Sequence, residues 1–383
     1  MSYSLADGKT YTLYGKATTG KKKLWTIRVF KDRVRASEVG EPGNDFIDIA
    51  TIEMGRGYED GKTHYEFRIL TEGKNIGKSN ETSTFEQAIL EAESRIKRKL
   101  DQNYRPTKEE LDDLPIGPML AHDFTKRGHS LEYPCFVQPK LNGVRCLVHR
   151  VSENKIEFYS RMGKEFTTLD HLVPALLPVL NTGEVWDGEI YKHGWNFQRI
   201  VSAVKKFNDD TPELELHVYD MVSEISPYDA RFAHIEEQIQ KIPVHGNVKF
   251  VDVKVCKDVE HVDKWHTAYV KKGYEGLILR NEAGVYKPGQ RSADLQKYKH
   301  FMDAEYEITD HKADSNREVV FTCKTKDGNV FSVKPRGTRE ERRSLAAQSK
   351  GSFNNKLLTV RYQELSNDGV PIFPVGIGIR DYE

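Results

Sequence analysis

The sequence predicts an α+β chain in three parts: a small α+β module over 1–105, a larger α+β domain over 106–302, and a small β-barrel over 303–383. Three observations carry this reading. The chain has 383 residues, too many for one compact core and suited to two or three domains. Short apolar runs with period-two alternation recur along its length. The final part packs several such runs around one helical stretch, the content of a small Greek-key barrel.

In the first part, Trp25, Ile27 and Val29 alternate with polar residues, and so do Tyr65, Phe67 and Ile69. Both segments are expected as half-buried strands. Ser83-Thr84-Phe85-Glu86 has the spacing of a capping box, which opens a helix. Phe85, Ala88, Ile89, Ala92 and Ile96 then share one helical face. The stretch around Arg105 and Pro106 reads as a linker. From 120 to 300, short apolar strands such as 135–138 and 214–219 alternate with loops and modest helices, as around mixed sheets. In the last part the strand runs are 319–323, 330–333 and 357–362, with a helix over 339–348.

Composition bounds the function. At 38% hydrophobic and 30% charged, the chain has ample core material and a well-solvated surface. No run of eighteen apolar residues is present, so no membrane-spanning helix is expected, and 1–10 carry no signal-peptide core. Cys135, Cys146, Cys256 and Cys323 lack metal-site spacing and are expected reduced and packed. Lys plus Arg total 58, as do Asp plus Glu, which argues against a chain basic throughout. Basic residues nevertheless bunch at Lys21, Lys22 and Lys23; at Arg95, Lys97, Arg98 and Lys99; and at Lys334, Arg336, Arg339, Arg342 and Arg343. Taken singly, such runs are solvated faces more often than binding sites.

The chemistry begins at Lys140-Leu141-Asn142-Gly143-Val144-Arg145. This directly follows an apolar run, so Lys140 is expected at a strand end, with Gly143 letting the backbone approach a ligand closely. Ser160-Arg161-Met162-Gly163, Trp186-Asp187-Gly188-Glu189-Ile190, Val218-Tyr219-Asp220, Tyr274-Glu275-Gly276-Leu277-Ile278 and Leu295-Gln296-Lys297-Tyr298-Lys299 follow in order, each expected at the end of a strand-like run. Each alone has a bland reading, as a turn glycine, a solvated carboxylate or a packed tyrosine.

As an ordered set they resemble the covalent nucleotidyltransferases: ATP-dependent DNA ligases, RNA ligases and messenger-RNA capping enzymes. The resemblance covers the chain from Leu120 onward and favours the DNA ligases. Pro118-Met119-Leu120-Ala121 is similar to the opening of their nucleotide domain. Asp303-Ala304-Glu305 after Lys297-Tyr298-Lys299 is similar to their entry into an OB domain, and 373–380 to the closing motif of minimal viral ligases. The resemblance implies an ATP-grasp-like adenylation domain followed by an OB-fold barrel. It departs from the family at Asn142, where Asp is usual; Asn keeps a hydrogen-bonding carbonyl and loses a charge. Trp25, Met54-Gly55-Arg56-Gly57 (read as a turn) and the loop 73–78 resemble WGR-like accessory modules of nucleic-acid enzymes.

The resemblance also implies roles. Lys140 becomes the nucleophile that accepts AMP from ATP. An ordinary lysine titrates near pH 10.4, so the site must favour the neutral amine, with Arg145, Lys297, Lys299 and a divalent metal as nearby cations. Lys297 and Lys299 take the AMP phosphates; Glu189 lies near ribose and metal, and Glu275 near the metal, Mg²⁺ or Mn²⁺. Tyr219 stacks on adenine, Gln138 lies beside it, and Arg161 touches ribose or the nick's phosphate. Arg380 and Asp381 lie near the closing motif, which in the family helps orient pyrophosphate. The expected substrate is nicked duplex DNA, met by a monomer in cytoplasm, nucleus or a virus-infected cell. An RNA ligase, a capping guanylyltransferase and a catalytically silent DNA-binding protein are the alternatives.

Overall fold

A computed structural model describes residues 5, 7–17, 19–112, 114–242 and 246–380. The chain divides into two compact units, 1–298 and 299–383.

The first unit begins with an antiparallel sheet of β1 (Thr10–Lys16), β2 (Lys22–Arg35), β3 (Phe46–Tyr58) and β4 (His64–Leu70), in that order. One face is covered by α1 (Thr84–Leu100), which starts on the expected capping box: Ser83 and Glu86 each accept from the other's backbone N–H. Such a cap contributes about 1 kcal/mol. Ala88, Ala92 and Ile96 bury against Ile27, Val29 and Ile52.

Three expectations need correction here. Tyr65, Phe67 and Ile69 are not half-buried; Phe67 is 61% exposed. Alternation marks two faces without saying which is covered, and α1 covers the other one, where Leu70 is buried and Arg68 pairs with Glu91 of the helix at 2.7 Å. Met54-Gly55-Arg56-Gly57 is no turn but the continuous strand β3. Gly55 is required by packing, since a Cβ there would lie 2.4 Å from Thr26 Oγ1 and 3.1 Å from Tyr65. Arg105 is no loose linker: its backbone exchanges hydrogen bonds with Tyr14 at 2.8 Å in both directions.

The rest of this unit is built on two five-stranded sheets. Its strands are β5 (Leu120–Asp123), β6 (Cys135–Lys140), β7 (Val144–Ser152), β8 (Lys155–Ser160), β9 (Val185–Tyr191), β10 (Glu215–Met221), β11 (Val248–Phe250), β12 (Lys254–Cys256), β13 (Gly276–Arg280) and β14 (Arg291–Tyr298). One sheet runs β11-β10-β9-β7-β8, the other β12-β6-β13-β14-β5. Helices α2 (Phe124–Arg127), α3 (Val173–Leu176), α4 (Phe197–Lys205), α5 (Tyr228–Ile239) and α6 (Val259–Lys271) complete it. The largest core cluster gathers Trp186, Ile190, Leu216 and Val218 with Ile200 of α4 and Ile235 of α5. The four cysteines are free and buried, as expected.

The second unit is a closed five-stranded barrel, ordered β15 (Met302–Ala313), β16 (Val319–Lys324), β17 (Val330–Pro335), β21 (Val375–Arg380), β18 (Leu357–Tyr362). The short pair β19 (Glu364–Leu365) and β20 (Pro371–Ile372) and helix α7 (Arg339–Ala346) lie between barrel strands in sequence. Phe321, Val333, Leu358 and Val360 fill the interior. Among the described residues, no helix is long and apolar enough to cross a membrane.

Candidate active site

Both five-stranded sheets contribute walls to one pocket of about 700 Å³. That size suits a nucleotide. β6 delivers Lys140 at its end, as the sequence predicts. Its register partner on β13 is Gly276, and the Glu275 N–H donates to the Lys140 carbonyl at 3.0 Å. The side chains meet as well: Lys140 Nζ donates to Glu275 Oε2. The Lys140 and Glu275 side chains are 22% and 8% exposed, so water screens this pair less than a surface pair.

Two residues lie away from the strand ends where the sequence put them: Glu189 and Tyr219 sit within β9 and β10, whereas Glu275 immediately precedes β13. The β10–β9 register slips at Tyr219: Val218 faces Gly188 and Asp220 faces Asp187. Tyr219 is thus the extra residue of a β-bulge, a device that re-aims a side chain without ending the strand. Gly143 is also explained differently. A Cβ there would lie 2.3 Å from the Ile190 carbonyl oxygen and 2.8 Å from Glu189 Cγ. Packing of the β6–β7 turn on β9 demands glycine, and that packing brings Lys140 beside Glu189.

Gln138, Lys140, Arg145, Arg161, Glu189, Tyr219 and Lys297 all line the pocket. Burial pushes the Glu189 carboxyl up to about 7; Lys140 and Arg145 oppose this, and Glu275 and Asp187 reinforce it. Two neighbouring carboxylates that repel each other suit a hard divalent cation, which takes its remaining ligands from phosphate and water. Among the described residues, no group of three or more His, Cys, Asp or Glu side chains is placed to hold a metal.

Arg145 lines the pocket but its guanidinium is committed. Nε and Nη2 donate to both oxygens of Asp187 at 2.9 and 2.5 Å, and Nη2 also donates to the Met119 carbonyl at 2.7 Å. Tyr286 donates its hydroxyl to the same carboxylate at 2.7 Å. Gln138 is fixed too: Oε1 accepts from Arg280 Nε at 3.0 Å, and Nε2 points to the Val251 carbonyl at 3.5 Å. Arg280 in turn donates to Asp220, which also accepts from Arg231 at 2.7 Å. Arg280 was not singled out from the sequence, and Asp187 entered only as a member of the Trp186-Asp187-Gly188-Glu189-Ile190 motif. A charged residue ending the apolar run Gly276-Leu277-Ile278-Leu279-Arg280 was the available signal.

Lys299 opens the second unit, where its Nζ donates to Gln363 Oε1 at 2.7 Å. Arg380, in β21, pairs with Glu305 at 3.2 Å; Asp381 lies outside the described residues. In the basic stretch 334–343, Lys334 pairs with Asp314 and Glu318 at 2.8 and 2.7 Å, and Arg342 with Glu318 at 2.7 Å.

A strand-end lysine in an ion pair beside a nucleotide-sized pocket, in a chain that continues into a five-stranded barrel, is the arrangement that the resemblance to nucleotidyltransferases with an OB domain implies. Comparison narrows the class. The model of the ATP dependent DNA ligase domain matches 118–299, and that of the DNA ligase OB-like domain matches 319–380. The DNA ligase of African swine fever virus is 30% identical over 338 residues, covering 82% of this chain and 79% of the viral protein. The phage T4 DNA ligase is 23% identical over 276 residues, covering 57% and 56%. A solved Lig E DNA ligase shares the fold, with a TM-score of 0.58 at 20% identity over 69% of this chain and 99% of that one. The chain belongs to the ATP-dependent DNA ligases. It is an enzyme that uses ATP and acts on DNA.

Proposed function

We propose that this ligase seals nicks in duplex DNA as a monomer, with Lys140 as the residue that carries AMP. The Lys140 ammonium first gives up a proton, for which the paired Glu275 carboxylate is the nearest acceptor; the Nζ lone pair then attacks the α-phosphorus of ATP, an N–P bond forms, the bond to the bridging oxygen of the β-phosphate breaks, and pyrophosphate leaves. AMP then passes to the 5′-phosphate at the nick. The 3′-hydroxyl displaces AMP from it and closes the phosphodiester.

The Lys140–Glu275 ion pair carries this reading. It fixes the amine beside a pocket whose lining also includes the Tyr219 ring, the Glu189 carboxylate and the cations Arg161 and Lys297. Tyr219 stacks on adenine and Gln138 lies beside it. Arg161 touches ribose or the nick's phosphate, Lys297 and Lys299 take the AMP phosphates, and Arg380 with Asp381 orients pyrophosphate. Arg145 is a positioning residue, holding Asp187 and, through its place over the Tyr219 ring at 5.9 Å, the stacking face. Glu189 and Glu275 would hold Mg²⁺ or Mn²⁺, which supplies positive charge to the reacting phosphates.

The functional division follows 1–105, 106–302 and 303–383, with the first part adding affinity for DNA outside the chemistry. The viral and phage relatives support action in an infected cell. The test is incubation with labelled ATP or GTP, a denaturing gel, then sealing of matched nicked DNA and RNA duplexes. Label from ATP and sealing of DNA are expected. Label from GTP alone, or sealing of RNA alone, overturns the reading.

A further inference from the structure

In the N-terminal module, the last turns of α1 face the sheet across a groove of about 240 Å³. Arg56 of β3 and Arg95, Arg98 and Lys99 of the helix line it. The one carboxylate in that lining, Glu66, is paired with Arg56 at 2.8 Å.

A helix C-terminus ordinarily collects cations, which accounts for exposed Lys97 and Arg98. It does not account for Arg95 and Lys99, which are drawn in against the sheet. Burial works against the charge of both groups; Arg98 adds to this at Arg95, and Lys23 and Arg56 at Lys99. Arg95 Nε is buried without a hydrogen-bond partner, and Nη1 reaches a weak acceptor, Met54 Sδ at 3.4 Å. The Lys99 ammonium lies over two rings, 4.6 Å from Tyr104 and 5.7 Å from Trp25. Ring contacts hold an ammonium in place and leave its N–H donors for an anion.

We propose that this groove binds backbone phosphates of duplex DNA, an inference that rests on reading the chain as a DNA ligase. A phosphodiester supplies the charge and the acceptor oxygens that the cluster lacks. Lys23, which adds its charge at Lys99, belongs to the run Lys21-Lys22-Lys23, so the basic surface continues from the groove along β2. Trp25 is 6% exposed and covered by Lys99, so the groove offers no open ring for stacking a base. Contact is with phosphates and independent of sequence.

The experiment measures affinity of the full-length chain for a nicked duplex against salt concentration. The double substitution Arg98→Gln with Lys99→Gln should weaken binding on the order of tenfold and make the log–log slope shallower by about 0.9 for each phosphate that is no longer neutralised. Lys97→Gln, in the same turn but outside the groove, should change both far less. If the double variant melts early, Arg98→Gln alone, at an exposed side chain, gives the same reading at smaller size. Wild-type affinity and slope in a folded variant overturn the proposal, as does a weakening confined to single-stranded DNA. Failure of the ligase reading shows separately, as wild-type protein that binds duplex through this groove yet neither takes label from ATP nor seals.

Discussion

Lys140 and Glu275 are joined twice: the Glu275 N–H donates to the Lys140 carbonyl, and the Lys140 ammonium donates to the Glu275 carboxylate. The backbone bond adjoins the β6–β13 pairing, which begins at Lys140 and Gly276, so the side-chain pair is anchored at the edge of that ladder. Once deprotonated, an amine held this way needs little reorganisation to meet the α-phosphorus.

Lys140→Ala should abolish labelling by ATP, with stability lowered by about 1 kcal/mol, since the lysine side chain is partly exposed. Mass spectrometry of the wild type should place AMP on Lys140 alone. AMP on another lysine contradicts the assignment.

Glu275→Ala should remove most activity. It should also cost on the order of 1 kcal/mol in stability, because it strips a partner from a half-shielded lysine. Activity is measured across Mg²⁺ concentrations beside a melting curve. An equally active variant at every concentration rules out a role in holding metal.

Glu215 gives a pH dependence. Burial would raise its carboxyl, but His217 and Lys192 outweigh this and hold it at about 2. A carboxylate depressed in the fold contributes stability that is present above its unfolded value of about 4.3 and is lost as pH falls toward 2. Its partner Lys192 is partly open to water, so solvent screening limits the contribution to about 1 kcal/mol. Glu215→Gln should therefore melt earlier than wild type at pH 7, with the gap closing as pH drops toward 2. A gap constant across that range defeats the prediction.

In the barrel, the basic stretch 334–343 divides into two roles. Lys334 and Arg342 are committed to Asp314 and Glu318, so Arg342→Gln should destabilise the barrel. Arg336 and Arg343 are exposed, and replacing both with Gln should weaken nick binding and flatten its salt slope. Melting curves and salt titrations separate the two effects. Unchanged affinity and slope make the exposed pair a solvated face.

A chain starting at Pro106 should still form lysine–AMP within about twofold of the full-length rate, since effective concentration acts on DNA and not on ATP. It should seal slowly at low DNA concentration and recover at saturation, as single-turnover sealing would show. The cut removes the Arg105–Tyr14 backbone pairing and the Lys16–Asp112 ion pair at 3.5 Å. Loss of lysine–AMP in a folded truncated chain makes the module part of the catalytic unit.

The sequence by itself determined the parts that are local. Apolar runs located β6, β16, β17 and β18; the Ser83–Glu86 spacing located the start of α1; and the ordered motifs named Lys140 and most of the residues that line its pocket. Tertiary structure decided what depends on distant partners. Lys140 meets a carboxylate 135 positions away, and Gln138 meets an arginine 142 away, separations that no local pattern encodes. Alternation in β4 showed two faces, but the placement of α1 decided that Tyr65, Phe67 and Ile69 stay outside. Gly143 was legible as a glycine with a purpose; that the purpose is clearance from the Ile190 carbonyl emerged only when β9 was packed against the turn. Backbone propensity and side-chain period act over a few residues, whereas steric exclusion and charge pairing act between whichever residues the completed fold brings together.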